Sequence, residues 1–263
     1  MIDDTRALQA AGLLLDAWRT ATPIDALPAE VRPASRADGY RIQQAVLAAS
    51  GERAWGWKIA ATSRAGQQHI GVDGPLGGRL FASQIDAAGA EVSLAGNRMR
   101  VAEIEFAFRM ARELAPQSRS YGRDEVLQAV DALLPSIEVP DSRLTIVEQA
   151  GAPQLIADNA CAWRFVPGAP APASWREADL AAWRVNTRVG TRYQREGLGS
   201  NVLGDPCAAL VWLVNELSAQ GIAVEAGQVI TTGTCVAPLQ VEPGDHVAAD
   251  FGTLGQVDIR FAG

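Results

Sequence analysis

Residues 100–109 read Arg-Val-Ala-Glu-Ile-Glu-Phe-Ala-Phe-Arg, an alternation that predicts a strand with Val101, Glu103, Glu105 and Ala107 on one face and Ile104, Phe106 and Phe108 on the other. Two glutamates so spaced have Cα atoms about 6.6 Å apart and side chains projecting the same way. Like charges in that position repel unless a cation, a proton or an arginine lies between them. With a third carboxylate such as Glu138 they would form an all-oxygen site, which suits Mg²⁺ or Mn²⁺ better than zinc because no His or Cys flanks it. The alternative is a solvated strand face paired with Arg98, Arg100 or Arg109.

A second signal is a count. Of the 23 basic residues, one is lysine, Lys58, and the other 22 are arginine. In a chain that otherwise uses Arg throughout, a single Lys suggests a position where guanidinium cannot substitute for ammonium, and the flanking Trp55-Gly-Trp57 and Ile59-Ala-Ala61 would partly desolvate it. A chance Lys whose stem packs on a tryptophan is the competing reading. Asp158-Asn159 is a polar pair inside an apolar stretch, either a turn or hydrogen-bonding groups in a cavity. Thr231-Thr-Gly-Thr234 follows a strand and offers N–H groups and hydroxyls to a carboxylate, unless it is only a strand-to-loop turn. The two histidines, His69 and His246, lie near no Ser or Cys motif, no Gly-x-Ser-x-Gly is present, and no Gly-x-Gly-x-x-Gly opens a helix after a strand. Triad chemistry and a nucleotide cofactor are therefore not indicated.

The elements that must position these groups follow from periodicity. Helices are predicted over 3–19 and, after Ser35 as N-cap, over 35–50. Gly71-Val-Asp-Gly-Pro-Leu-Gly-Gly78 reads as a loop able to fold over a site. Residues 123–134 look helical, Ser136–Pro140 looks like a strand stopped by its proline, Pro167–Pro172 is a surface connection, and 208–220 is an amphipathic helix. Strands and turns then alternate: 229–232, 238–241, a turn at Glu242–Asp245, 246–251 and 256–261. No internal repeat or low-complexity block interrupts the chain.

With 263 residues, 48% hydrophobic and 20% charged, the chain can bury a sizeable core. A net charge of −7 argues against nucleic acid or an anionic membrane as partner, so an anionic small molecule would need a local positive site. The acidic start Met1-Ile-Asp-Asp4 is unlike an export signal, and no apolar run approaches the roughly 20 residues of a membrane span. Cys161, Cys207 and Cys235 suit reduced core thiols, which points to the cytoplasm.

Eight separated motifs carry a resemblance: Gly56-Trp-Lys-Ile-Ala-Ala-Thr-Ser63, Gly71-Val-Asp-Gly-Pro75, Ala102-Glu-Ile-Glu105, Ile137-Glu-Val-Pro-Asp-Ser-Arg143, Ala157-Asp-Asn-Ala160, Val202-Leu-Gly-Asp-Pro206, Thr232-Gly-Thr234 and Pro243-Gly-Asp245. In this order, over nearly the whole chain, they resemble the 2-keto-4-pentenoate hydratase and 4-oxalocrotonate decarboxylase family of the fumarylacetoacetate hydrolase superfamily. The resemblance implies an α+β fold, a strand-rich mixed β-sandwich or barrel (56–263) with an N-terminal helical part (1–55), the two forming one continuous unit, and a homo-oligomer. It implies a divalent cation on Glu103, Glu105 and Glu138, with Lys58 and Asp158 as catalytic groups beside a 2-oxo acid, and with Thr232, Gly233, Thr234 and Leu76 lining the substrate. Leu76 stands where the hydratases usually carry an acidic residue and is closer to the apolar residue of the decarboxylases, and Ala60-Ala61 replace the usual Gly-Leu.

The expected activity is hydration of a 2-hydroxypenta-2,4-dienoate (2-keto-4-pentenoate) in aromatic catabolism, with 4-oxalocrotonate-type decarboxylation as the alternative. A C–C bond hydrolase of acylpyruvates is a further reading, and it would require His69 or His246 to reach the pocket. A non-catalytic binder of 2-oxo acids is another.

Overall fold

The computed structural model describes residues 1–263. Helices α1 (Asp4–Thr20) and α2 (Arg36–Ser50) form where the spacing predicts them. Asp3 caps the first by accepting from the Arg6 N–H, and Ser35 and Asp38 make a reciprocal capping box on the second. Ala7, Ala10, Ala11 and Leu14 of α1 pack with Ile42, Ala45 and Val46 of α2, and Phe81 and Ala157 from later in the chain join the same apolar cluster. The helical part therefore shares a core with the body.

The body runs β1 (Ala54–Ala60), α3 (Arg64–His69), β2 (Leu76–Phe81), β3 (Glu91–Val92), β4 (Val101–Met110), α4 (Arg123–Leu127), β5 (Val130–Val139), α5 (Val147–Ala157), β6 (Arg164–Pro167), β7 (Arg184–Val189), β8 (Tyr193–Leu198), α6 (Pro206–Ala219), β9 (Val229–Thr234), β10 (Leu239–Gln240), β11 (His246–Asp250) and β12 (Gln256–Phe261). A seven-stranded sheet has the order β2-β1-β9-β4-β5-β6 with β10 added to β4, and a five-stranded sheet has the order β3-β12-β11-β7-β8. The β1/β9 and β3/β12 pairs are parallel and the rest antiparallel. This is a mixed, strand-rich α+β fold with helices at the N-terminus. No helix is long and apolar enough to cross a membrane.

The alternation in β4 divides the large sheet as read. Ile104, Phe106 and Phe108 point into the main core, where Phe106 meets Phe251 edge-on with ring centroids 5.1 Å apart. On the other face Glu103 pairs with Glu138, Glu105 with Ser136, Ala107 with Thr231, and Thr231 with Lys58. Cross-strand partners share a face, so this register alone assembles three carboxylates and the single lysine.

Three sequence expectations are corrected. The helix expected over 123–134 ends at Leu127, because Val130–Leu134 pair with β4 as the first half of β5, and long-range pairing overrides local pattern. The glycine-rich loop stops at Pro75, since Leu76, Gly77 and Gly78 already pair with Ala60, Ile59 and Lys58. The strand expected over 229–232 continues to Thr234, so the threonine run lies within β9 and not after it.

Strand β2 is an edge, yet its outward N–H groups are capped by side chains and cannot template another strand. Tyr40 Oη accepts from Gly77, Asn159 Oδ1 from Arg79 and Gln84 Oε1 from Phe81, at 3.3, 3.4 and 2.7 Å. Gly78 allows this closure, for a Cβ there would lie 2.0 Å from the Asn159 carbonyl oxygen, a backbone atom that cannot rotate away. Gly78→Ala is expected to cost about 1–3 kcal/mol and to lower Tm by roughly 5 °C in thermal unfolding. An unchanged Tm would mean that the turn at Asn159 yields freely.

Candidate active site

Glu103, Glu105 and Glu138 each offer a carboxylate oxygen within 4.8 Å of the others. Glu105 and Glu138 are fully buried and Glu103 is half-buried, which places the open side of the cluster at Glu103. The arginine-paired alternative does not occur: Arg109 pairs with Asp131 at 2.9 Å, and Arg98 donates to the carbonyls of Ser142 and Leu144.

Glu105 is held from β9. One oxygen, Oε2, accepts from the Thr231 hydroxyl and from the Gly233 N–H at 2.8 Å. A β-bulge makes this possible, because β9 advances three residues, Thr234 to Thr231, while β4 advances two, Glu105 to Ala107. Gly233 takes φ +94° at the bulge, and a Cβ there would lie 2.1 Å from the Thr62 hydroxyl.

Lys58 is 2% exposed, and its Nζ stands 3.3 Å from Glu138 Oε2 and donates to the Ala160 carbonyl at 3.1 Å. Burial alone would lower its pKa, but Glu138, Glu103 and Glu105 together outweigh burial and hold it above the ordinary value. Glu105 and Glu138 shift upward. Burial, then Glu103, push Glu105 up to about 7 against the pull of Lys58, Thr231 and Gly233, and burial likewise raises Glu138 well above the usual range. Trp57 does not desolvate Lys58 as expected, since it faces the main core on the opposite side of β1; the turn at Asn159–Cys161 lies against the ammonium through the Ala160 carbonyl.

The residues present fit a divalent cation. Glu105 Oε1 and Glu138 Oε1 are buried without a partner, and Glu138 Oε2 is met only by the Lys58 ammonium at 3.3 Å, a state that costs several kcal/mol unless a ligand satisfies it. Three carboxylates and one ammonium leave two negative charges to balance.

Other expected site residues are placed differently. Asp158 is fully buried, but its carboxylate is occupied: Oδ2 accepts from the Ser142 hydroxyl at 2.7 Å, and Oδ1 takes an ion pair with Arg143 Nε. Its pKa is raised by burial, with Arg143 pulling the other way. The expected catalytic group is thus held in the structure by Ser142 and Arg143. Thr232 points to the core face, where its hydroxyl donates to the Phe106 carbonyl, and Thr234 donates to the Val236 carbonyl. Gly233 reaches Glu105, so this run serves a protein carboxylate before any substrate. Leu76 shares the Lys58 face of the sheet but is a fully buried strand residue, not part of a loop over the site. His69 is exposed on α3, and His246 pairs with Asp258 at 2.7 Å on the five-stranded sheet.

Sequence reasoning did not give Arg143 or the Ala160 carbonyl a part. Asn159, Ala160 and Cys161 have φ of 52°, 48° and 64°, three consecutive left-handed non-glycine residues at about 1–2 kcal/mol each. Nothing in the side chains signals such a turn. Asn159 itself, the first residue of the turn, was the available hint, since Asn tolerates left-handed backbone.

The fumarylacetoacetate hydrolase C-terminal family model matches residues 75–262. The chain is 31% identical to 2-keto-4-pentenoate hydratase 1 of Dechloromonas aromatica over 257 residues, 96% of each chain, and 36% identical to 2-hydroxyhexa-2,4-dienoate hydratase of Comamonas testosteroni over 85% of each. It superposes on 4-oxalocrotonate decarboxylase from Pseudomonas putida G7, complexed with magnesium and adipate, with TM-score 0.88, 27% identity and 99% coverage of both chains. With the buried triple-glutamate cluster on this fold, the chain belongs to the fumarylacetoacetate hydrolase family, in the group that holds the 2-keto-4-pentenoate hydratases and 4-oxalocrotonate decarboxylases.

Proposed function

We propose that the protein is a metal-dependent lyase of 2-oxo acids, with hydration of a 2-hydroxypenta-2,4-dienoate as the first activity. The observation that carries this reading is the pair of buried carboxylate oxygens without a partner, Glu105 Oε1 and Glu138 Oε1, beside the chain's only lysine. The hydratase relatives support the reaction type, and the magnesium complex of the related decarboxylase supports Mg²⁺ or Mn²⁺ on Glu103, Glu105 and Glu138.

A divalent cation held there supplies Lewis acidity toward the carboxylate and 2-oxygen of a 2-oxo acid. The chain's own groups do the rest. Thr231 and Gly233 fix the rotamer of Glu105 by binding one of its oxygens and leaving the other free. Lys58 has three donors, of which one is given to Ala160 and one faces Glu138, so the third can hold a proton against the 2-oxygen of the substrate as negative charge develops. Exclusion of water around Lys58 and Glu138 strengthens both effects.

Decarboxylation is the second reading, and Leu76 favours it. Hydration needs a group to manage the proton of an attacking water, whereas Leu76 is apolar and Asp73, in the preceding loop, is 92% exposed beside Arg36. The same electron sink serves loss of CO₂ without such a group. Product analysis with 2-hydroxypenta-2,4-dienoate and 4-oxalocrotonate, each with Mg²⁺, decides between them. Hydration of the first supports the primary reading; CO₂ from the second with none of the first hydrated replaces it. Turnover of neither, with metal-dependent binding retained, would make the protein a 2-oxo acid binder. A homo-oligomer is expected in solution.

Glu105→Gln is expected to weaken Mg²⁺ binding by more than about tenfold, since changes one shell further out already cost roughly 10–100-fold. Calorimetric titration of the folded variant checks this, and parental affinity would remove Glu105 from the ligand set. Lys58→Arg should keep metal affinity and lose on the order of 100-fold in turnover, because a planar guanidinium cannot repeat the Ala160 and Glu138 contacts.

The raised Glu105 pKa gives a pH prediction. The folded value of about 7 exceeds the ordinary 4.5, so in the metal-free protein this group's stabilising contribution is present below pH 4.5 and is lost as pH rises through about 7. The cation must displace that proton, so affinity rises with pH over the same window. Mg²⁺ should raise Tm more at pH 8 than at pH 6; an equal gain at both would show that Glu105 is already ionised without metal.

A further inference from the structure

Arg143 lies five residues after Glu138, on the segment that leaves β5, and is 6% exposed. Its guanidinium spans the left-handed turn from end to end. Nε pairs with Asp158 Oδ1, one terminal nitrogen donates to the Asp158 carbonyl just before the turn, and the other donates to the Ala162 carbonyl just after it at 2.8 Å. The planar head is stacked over Trp18 of α1 at 4.4 Å. The neighbours on the same segment add to the grip: the Ser142 hydroxyl donates to Asp158 Oδ2 at 2.7 Å, and the Asp141 N–H donates to the Cys161 carbonyl at 2.9 Å.

A run of three left-handed L-residues persists only where its surroundings over-determine it. Here the turn has one direct consequence at the cluster, which is to present the Ala160 carbonyl to Lys58 Nζ at 3.1 Å. Apart from Glu138, that carbonyl is the one partner recorded for the ammonium. It is a backbone atom, so its place depends wholly on the turn.

We propose that Arg143 and Asp158 form a positioning pair for the reaction: by clamping Asn159–Cys161 in the left-handed turn they fix the Ala160 carbonyl, and through it the direction of the Lys58 ammonium. Glu138 and Arg143 then act from one short segment, the first toward Lys58 directly and the second through the turn. Arg is required because a fork must reach Asp158 and both flanking carbonyls at once, which a single ammonium cannot do. This rests on the proposed part of Lys58 in the reaction.

The composition supplies the test. Because Lys58 is the only lysine, full-length protein made with ¹⁵Nζ-labelled lysine gives one side-chain ammonium resonance, which reads the position of that group without any assay of turnover. In Arg143→Gln, which keeps a side-chain donor opposite Asp158 and adds no second lysine, that resonance is expected to shift or broaden. Mg²⁺ affinity should stay within about twofold, and kcat should fall at least tenfold with KM changed much less. Ser142→Ala, a milder loosening of Asp158, should move the same resonance in the same direction by less, and it decides the matter if Arg143→Gln does not fold. A resonance unmoved in whichever of these variants folds overturns the proposal. If the resonance moves while the parent protein turns over no dienoate or oxalocrotonate, the positioning pair stands and the proposed function falls.

Discussion

Glu103 and Glu138 stand directly opposite each other across an antiparallel pair, with Glu105 two residues along, on a sheet face that excludes water from two of the three. Like charges in that relation destabilise a sheet, since two unit charges about 4 Å apart repel by roughly 4 kcal/mol at the effective dielectric of a protein. A fold bears this only if positive charge is supplied nearby. Lys58 supplies part of it, and the remaining imbalance suits the cluster to a divalent ion. The register of β4 on β5, the parallel seating of β1 on β9 and the bulge at Gly233 are all consequences of bringing these groups together while keeping lone pairs free.

Around the cluster the structure separates what faces the ligand from what holds it. Thr231, Gly233 and the Ala160 carbonyl act on the charged groups directly. Asp158, Ser142 and Arg143 act at one remove, and their polar atoms are satisfied by one another. The contrast with the unpartnered oxygens of Glu105 and Glu138 distinguishes a buried polar network that is complete from one that awaits a ligand.

Hydration and decarboxylation of 2-oxo acids draw on the same sink for negative charge, so one scaffold can host both, and the difference must lie in groups away from the cation. In this chain the position that would distinguish them is filled by Leu76, locked into β2, while the nearest acidic residue of the preceding loop turns to solvent.

The alternation of residues 100–109 was enough to place Glu103 and Glu105 on one face, because a strand's period of two depends on backbone geometry alone. Ser35 and the helical spacing after it likewise fixed α2, and the solitary lysine drew attention to Lys58. These are local or compositional properties, and a sequence carries them openly. Tertiary structure decided the rest. The extent of β5 depended on pairing with β4, not on the pattern of 123–134. The burial of Lys58 depended on a turn a hundred residues away and not on Trp57, which faces the main core. The role of Asp158 depended on Arg143, whose side chain meets it only after the chain has folded back across α5. The Ala160 contact lay furthest from view: a carbonyl oxygen is common to every residue, and only the left-handed backbone that aims it at the ammonium gives it a function.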